Sequence, residues 1–310
     1  MLADLKIGIV GGGLMGHGIA QVLADKAARV AVHDPDEATL NSVPERIAKN
    51  LKTLGQDESI AAKVVLARTL EEVAAEADVV FEAAPERMAL KQDIFEQLDA
   101  IAQPQAILAS NTSVMRITEI AERTTNAHRV VGTHWWNPPY LVPLVEVVQG
   151  ERTADDTVSQ TIELLTEAGK TPVHVKRDVP GFIGNRLQHA LWRQALELVD
   201  QGVCDAEAID TVVKASFGNR LAVLGPIENA DLVGLDLTLD IHAYVLPTLD
   251  PPSQPADGLK QRVEAGDLGM KTGAGYRRWT AEEADEVRRR LLAHLAAATP
   301  TRQAGGGETR

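Results

Sequence analysis

The sequence holds a single cysteine, Cys204, which excludes an intrachain disulfide and fits a reducing compartment. It has no run of about 18 apolar residues, so no membrane-spanning helix is expected. The first apolar segment, Leu5 to Val10, begins almost at once. No room is left ahead of it for a basic leader and a hydrophobic signal core, and a cytoplasmic location is expected. Positive charge is short as well. Lys and Arg number 31 against 44 Asp and Glu in 310 residues, a net charge of −13. Such a chain lacks the field that draws phosphate backbones or anionic lipid, so neither nucleic acid nor a membrane is expected as a partner. A local basic pocket for a phosphorylated cofactor stays open. Asn111-Thr112-Ser113 matches a glycosylation triplet, but without a secretion signal the match means little.

What is present is ordinary for a globular protein, with 45% hydrophobic and 24% charged residues. The length exceeds what one hydrophobic core usually serves, which suggests two domains. Strands are expected at 5–10, 30–32, 64–67, 79–83, 107–109, 130–133, 145–148 and 172–175. Helical periodicity separates most of them, at 15–24, 36–54, 71–77, 90–101, 117–123 and 156–168. Alternating strands and helices imply an α/β doubly wound, mostly parallel sheet covered on both faces. After Asp178-Val179-Pro180-Gly181 strand signals vanish. Helices are expected at 183–199, 206–214, 231–244 and 282–297, which makes an all-α C-terminal domain. The boundaries expected are 1–179, 180–298 and a disordered tail 299–310. Pro251, Pro252 and Pro255 mark a loop in the second domain, and no internal repeat is visible.

Gly11-Gly12-Gly13-Leu14-Met15-Gly16 reads G-x-G-x-x-G. The string alone is weak; a strand before it, a helix after it and an acid closing the next strand strengthen it. Gly11 permits the tight turn, Gly13 lets the backbone approach a pyrophosphate, and Gly16 lets helix and strand pack closely. Amides at the start of the helix, around Leu14 and Met15, then face the anion. Asp34 follows at about the twenty-residue spacing of the Rossmann fingerprint and suits the ribose hydroxyls. No arginine follows Asp34 directly, so NAD is expected over NADP. The bland alternative is a ligand-free glycine turn with Asp34 as a helix cap. FAD, which uses the same βαβ unit, is the stronger rival.

A nicotinamide site also needs a group that takes the hydroxyl proton as hydride leaves. Among eight histidines, His134 stands at the C-terminal end of an expected strand, the edge where open parallel sheets bind ligands. Behind it come Trp135-Trp136-Asn137-Pro138-Pro139-Tyr140 and the apolar strand Leu144-Val145-Glu146-Val147-Val148. A carboxylate inside such a strand needs a partner, and His134 is a suitable one. Taken singly, His134 reads as a satisfied core histidine, Glu146 as a solvent-facing edge residue, and the two tryptophans as core packing.

These residues resemble the 3-hydroxyacyl-CoA dehydrogenase family. Its motifs look matched in order by Gly11 to Gly16, Ser110-Asn111-Thr112-Ser113, His134-x-x-Asn137-Pro138, Leu144-Val145-Glu146-Val147 and Asp178-x-Pro180-Gly181-Phe182-Ile183-x-Asn185-Arg186. Gly225-Pro226, Gly234-Leu235-Asp236 and Lys271-Thr272-Gly273-x-Gly275 also fit, so the likeness covers nearly the whole chain. The resemblance implies that His134 is the catalytic acid/base and Glu146 its orienting partner. It implies that Ser113 and Asn185 hydrogen-bond the reacting oxygen. Asn111, Ser113 and Asn137 would line the cofactor site, and Glu86 and Lys91 would lie near the nicotinamide half of NAD. It further implies a homodimer through the helical domain and interconversion of a 3-hydroxyl and a carbonyl.

The chain departs from acyl-CoA members at several points. The long lysine-rich hairpin of those members is replaced by Glu45 to Lys63, short and mixed in charge. Trp135-Trp136 stand where those members tend to have two phenylalanines, and Pro143 where they have a lysine. The string Asn137 to Pro143 looks more like relatives acting on small free hydroxy acids or alcohols, of gulonate, carnitine or pyridine-carboxylate type. Arg186, Arg193 and Arg220 are candidates for meeting a substrate carboxylate. A non-catalytic NAD-binding sensor or structural relative is the alternative of another class; it would not need Ser113, His134, Glu146 and Asn185 together.

Overall fold

A computed structural model describes residues 2–249 and 257–298. The expected proline loop at 251–255 and the expected tail from Thr299 lie outside the described residues. The chain divides into two compact units. One runs to Arg186 and takes in the end of the last helix from Leu292; the other is Leu187–Leu291.

The first unit is built on eight strands: β1 Lys6–Val10, β2 Arg29–His33, β3 Val64–Ala67, β4 Val79–Glu82, β5 Ile107–Ser110, β6 Val130–Trp135, β7 Leu144–Val148 and β8 Thr171–Val175. Their order is β3-β2-β1-β4-β5-β6-β7-β8. All neighbours run parallel except β6 and β7. The strand order reverses between β1 and β4, and in such sheets the crevice at that point takes the ligand. Strands β4, β5 and β6 are buried at every residue, as expected where helices cover both faces.

Helices α1 Leu14–Ala24, α2 Glu37–Thr53 and α6 Asp155–Glu167 cover one face. Helices α3 Leu70–Ala74, α4 Met88–Ile101 and α5 Ile117–Ile120 cover the other. Alternate strand residues feed the two layers. Ile9, Val32 and Phe81 meet Leu40, Val43 and Ile47 of α2; Ala31, Val80 and Leu108 meet Phe95 and Leu98 of α4. In α2 the apolar residues recur three to four positions apart, the stripe a helix needs to lie on a sheet. Asp36 caps that helix by accepting from the Thr39 amide at 2.9 Å.

The second unit carries α8 Ala206–Ala215, α9 Pro226–Val233, α10 Leu235–Val245 and α11 Asp257–Glu264. Helix α7, Gly184–Asp200, leads into it, and α12, Ala281–Ala298, leads out. No strand follows Val175 among the described residues. The single helix expected over 231–244 is two helices. Gly234, at φ +105°, ends α9 and opens α10, because this conformation is available to glycine and breaks the helical ladder. Pro226 starts α9, and Glu228 reaches back to the Gly225 amide at 2.9 Å. Helix α11 was not expected from the sequence; it is short and mainly polar.

Candidate active site

The site is assembled on the C-terminal ends of β1, β4, β5 and β6. After β1 the chain turns at Gly11, whose φ is +101° and where a Cβ would stand 2.6 Å from the Ala83 carbonyl oxygen. At Gly16 a Cβ would come within 1.7 Å of the Gly11 oxygen. At Gly13 it would meet nothing within 4 Å, so the turn is open where a pyrophosphate would approach the amides of α1. Leu14 is exposed beside it, and Met15 is half-buried. Asp34 accepts from the amides of Gly12 at 2.8 Å and Asp36 at 2.9 Å, which fixes the carboxylate and leaves lone pairs for ribose hydroxyls. Two side chains the sequence reading passed over hold the turn from behind. Arg46 donates to the Gly12 oxygen at 2.9 Å, and His17 Nδ1 bonds the Gly13 oxygen at 2.8 Å. Burial holds the His17 imidazole below its ordinary pKa, and Arg46 adds to the effect.

Beneath the ends of β4 and β5 lies a fully buried ion pair, Lys91 with Glu82, at 2.8 Å. Ser110 Oγ and the Ala84 amide also donate to Glu82, each at 2.7 Å. A buried ion pair persists only when its remaining valences are satisfied, as here. The Lys91 ammonium also donates to the Ala84 oxygen at 3.3 Å and lies 3.4 Å from Glu86. Glu86 in turn accepts from the amides of Ser113 at 2.9 Å and Val114 at 3.3 Å and from the Thr112 hydroxyl. It therefore shapes the loop that carries Ser113. Glu82 carries the signal that marks Glu146, an acid in an apolar strand, and sequence reasoning missed it.

His134 and Glu146 are opposed in the antiparallel register of β6 and β7, so their side chains share one face of the sheet. His134 Nδ1 lies 2.7 Å from Glu146 Oε2, and both residues are buried, 4% and 1% exposed. The other carboxylate oxygen accepts from the amides of Ile183 at 2.9 Å and Gly184 at 3.0 Å, where α7 begins. Burial pushes the Glu146 carboxyl up, but the hydrogen bonds from His134, Gly184 and Ile183 outweigh it and hold the group below its ordinary range. An ionised Glu146 accepts the Nδ1 proton and leaves Nε2 with the lone pair. Trp136 and Phe182 flank the imidazole with ring centroids 4.9 and 5.8 Å away.

The loops around this pair are tied together. Asn185 Nδ2 donates to the Ser113 oxygen at 2.8 Å. Asn111 Oδ1 accepts from the Trp135 amide at 3.0 Å, so its carbonyl joins the ends of β5 and β6. Asp178 accepts from Thr118 at its amide and hydroxyl, at 2.7 and 2.6 Å. Lys170, another residue the sequence reading missed, donates to the oxygens of Pro139 and Val142, the latter at 3.0 Å. It thereby braces the loop that exposes Asn137. Of the three arginines weighed for a carboxylate, Arg186 donates to the Pro180 oxygen at 3.3 Å. Arg193 is paired with Glu197 at 3.1 Å, and Arg220 follows a 3-10 turn in the second unit.

Two family models match this chain. Residues 6–179 match the NAD-binding domain of 3-hydroxyacyl-CoA dehydrogenase, and residues 181–279 match its C-terminal domain. A 5-formyl-3-hydroxy-2-methylpyridine 4-carboxylate 5-dehydrogenase of Mesorhizobium japonicum is 34% identical over 284 residues, covering 90% of this chain and 92% of the relative. A probable 3-hydroxybutyryl-CoA dehydrogenase of Bacillus subtilis is 39% identical over 280 residues, covering 87% and 96%. Among solved structures, an enzyme acting on the same pyridine carboxylate, described as an NAD+-dependent dismutase, superposes with a TM-score of 0.88. It shares 32% identity, covering 95% of this chain and 97% of that one.

Proposed function

Because the chain belongs to the 3-hydroxyacyl-CoA dehydrogenase family, whose NAD-dependent members act on CH–OH groups, we propose that His134 is the acid/base of a reversible hydroxyl-to-carbonyl conversion. The observation that carries this reading is the buried His134–Glu146 pair, in which Nδ1 is taken and Nε2 has no protein partner among the described residues. The cofactor is NAD, and the open turn at Gly13 with Asp34 behind it suits the dinucleotide. Bound NAD supplies the hydride acceptor. Glu146, ionised, holds the imidazole in the tautomer whose Nε2 can accept the substrate's hydroxyl proton. As that proton arrives, the neighbouring carboxylate offsets the charge of the imidazolium. Ser113 and Asn185, joined by their hydrogen bond, hold the reacting oxygen. Glu86, backed by Lys91, keeps the Ser113 loop in place beside the nicotinamide half. Gly13, Leu14 and Met15 receive the pyrophosphate on the turn that Gly11 and Gly16 shape, and Asn111 and Asn137 complete the cofactor wall.

The substrate is a 3-hydroxyacyl-CoA or a 3-hydroxy acid. A compact, non-CoA hydroxy acid is the second reading; the likeness to the pyridine-carboxylate enzyme favours it. The protein is proposed to act in the cytoplasm as a homodimer, supported by the apolar side chains that α9 and α10 leave exposed.

The test is His134→Ala. Turnover should fall about 10²–10⁴-fold, the range for loss of a positioned acid/base, while NADH binding measured by fluorescence stays near the wild-type value. Near-normal turnover would remove the mechanism.

A further inference from the structure

The indole N–H of Trp136 is buried and has no hydrogen-bond partner among the described residues. The ring system lies beside His134, at 4.9 Å between centroids and tilted by 43°. The far edge of the six-membered ring fills the place of a missing side chain: a Cβ built on Gly184 would stand 2.4 Å from Trp136 Cζ2 and 3.2 Å from Cη2. Contacts below 3.0 Å essentially never occur at real Cβ atoms, so a side chain at 184 must displace this indole or the backbone that carries it. The same Gly184 gives its amide to Glu146. A shift of the backbone there to relieve a clash would pull on the carboxylate that holds the imidazole.

The consequence reaches the reacting group. Glu146 takes the Nδ1 edge of the imidazole. Trp136 and Phe182 lie beside it, their rings tilted by 43° and 54° to the imidazole. A hydroxyl carbon reaches the imidazole at Nε2, the nitrogen Glu146 leaves open, with the indole 4.9 Å from the same ring. We propose that Trp136 and Gly184 form a size-matched pair that sets how bulky a substituent the substrate carries next to its reacting carbon. Trp136 is the specificity-determining residue, and Gly184 is the space that lets it lie there. The inference rests on His134 being the acid/base and narrows its substrate to a compact hydroxy acid.

The test uses wild type, Trp136→Phe, Gly184→Ala and the double variant, in full-length protein. Each is assayed with NAD and the unbranched 3-hydroxy acids of four and eight carbons. In Trp136→Phe, the kcat/KM ratio of the longer over the shorter substrate should rise at least tenfold. Gly184→Ala should lose thermal stability and turnover, and adding Trp136→Phe to it should restore both, because phenylalanine lacks the ring that the new methyl meets. A folded Trp136→Phe enzyme with an unchanged ratio would overturn the proposal, as would a double variant no better than Gly184→Ala. Failure of the acid/base reading shows differently, as unimpaired turnover in His134→Ala. If neither acid turns over, the ratio is read from quenching of bound NADH by the matching 3-keto acids; equal preference in wild type and Trp136→Phe would then overturn the pair.

Discussion

Glu146 shows how much one side chain carries in this site. Its two oxygens accept from His134 and from two amides at the start of α7, so the strand residue, the imidazole and the helix are joined through one carboxylate. Glu146→Gln keeps the shape but replaces one acceptor oxygen with a donor. With its oxygen kept on the two amides, the new N–H faces Nδ1, and the imidazole must move its proton to Nε2 to accept it. Turnover should fall roughly 10²–10⁴-fold, as when an acid/base histidine loses its tautomer control. Stability should fall by about 1 kcal/mol, as charge-assisted hydrogen bonds become neutral ones. Steady-state kinetics and urea titration of the same preparation check both, and a variant with wild-type turnover would show that the carboxylate does not orient His134. At this scale the sequence was informative wherever a polar residue stood out against an apolar strand. That is why His134 and Glu146 were legible. Lys170 was not, because a lysine after a helix looks like surface until the fold buries it. The same holds for Arg46 and His17, whose acceptors are backbone oxygens that no side-chain pattern announces.

The glycine turn and the loop after β6 are the elements whose behaviour can be separated by experiment. Gly13 faces open space and Gly16 faces the Gly11 carbonyl at 1.7 Å from a would-be Cβ. Gly13→Ala should fold with unchanged stability yet bind NADH at least about tenfold more weakly, roughly 1.4 kcal/mol. Gly16→Ala should lose stability by about 1–3 kcal/mol or more, because backbone must move. Calorimetry with NADH titration distinguishes the two; equal behaviour would place the pyrophosphate elsewhere. The loop from Asn137 to Pro143 is braced by Lys170. Burial, with repulsion from Lys26, lowers that amine from 10.5 to about 8. Between these pH values the unfolded chain binds the proton that the folded chain has released, so stability should rise with pH across that window. Lys170→Met should remove this rise, read from urea midpoints at pH 7.5 and 10; an identical rise in the variant would assign it to another group. The helix over 231–244 was misread because periodicity carried through Gly234. A glycine inside an apolar periodic run is ambiguous until its φ is known.

For the molecule as a whole, the two units differ in kind. The first closes two apolar layers over its sheet. In the second, helices α8 to α11 bury no residue. Val223, Ile227 and Leu232 are 89%, 75% and 74% exposed. Apolar surface of that extent on a folded unit marks an interaction face, and a second copy of the chain is the occupant the proposed homodimer supplies. Sedimentation should give twice the 33.3 kDa chain mass. The double substitution Ile227→Glu with Leu232→Glu should shift it towards the single-chain value, because buried unpaired charge opposes association. A monomer in wild type would remove the dimer.

By itself the sequence determined the α/β order of elements, the glycine turn with its acid, and the histidine and glutamate that meet at the sheet edge. Each of these is written in local terms: the period of burial, the φ freedom of glycine, a polar residue in an apolar run. Only the tertiary structure decided that β7 runs against β6 and sets residue 146 opposite residue 134. It also decided that Lys91 is buried against Glu82 and that an indole occupies the space above Gly184. Those facts depend on which strands pair and which backbones approach, and contacts between distant segments follow from the packing of the whole chain, not from any window of it.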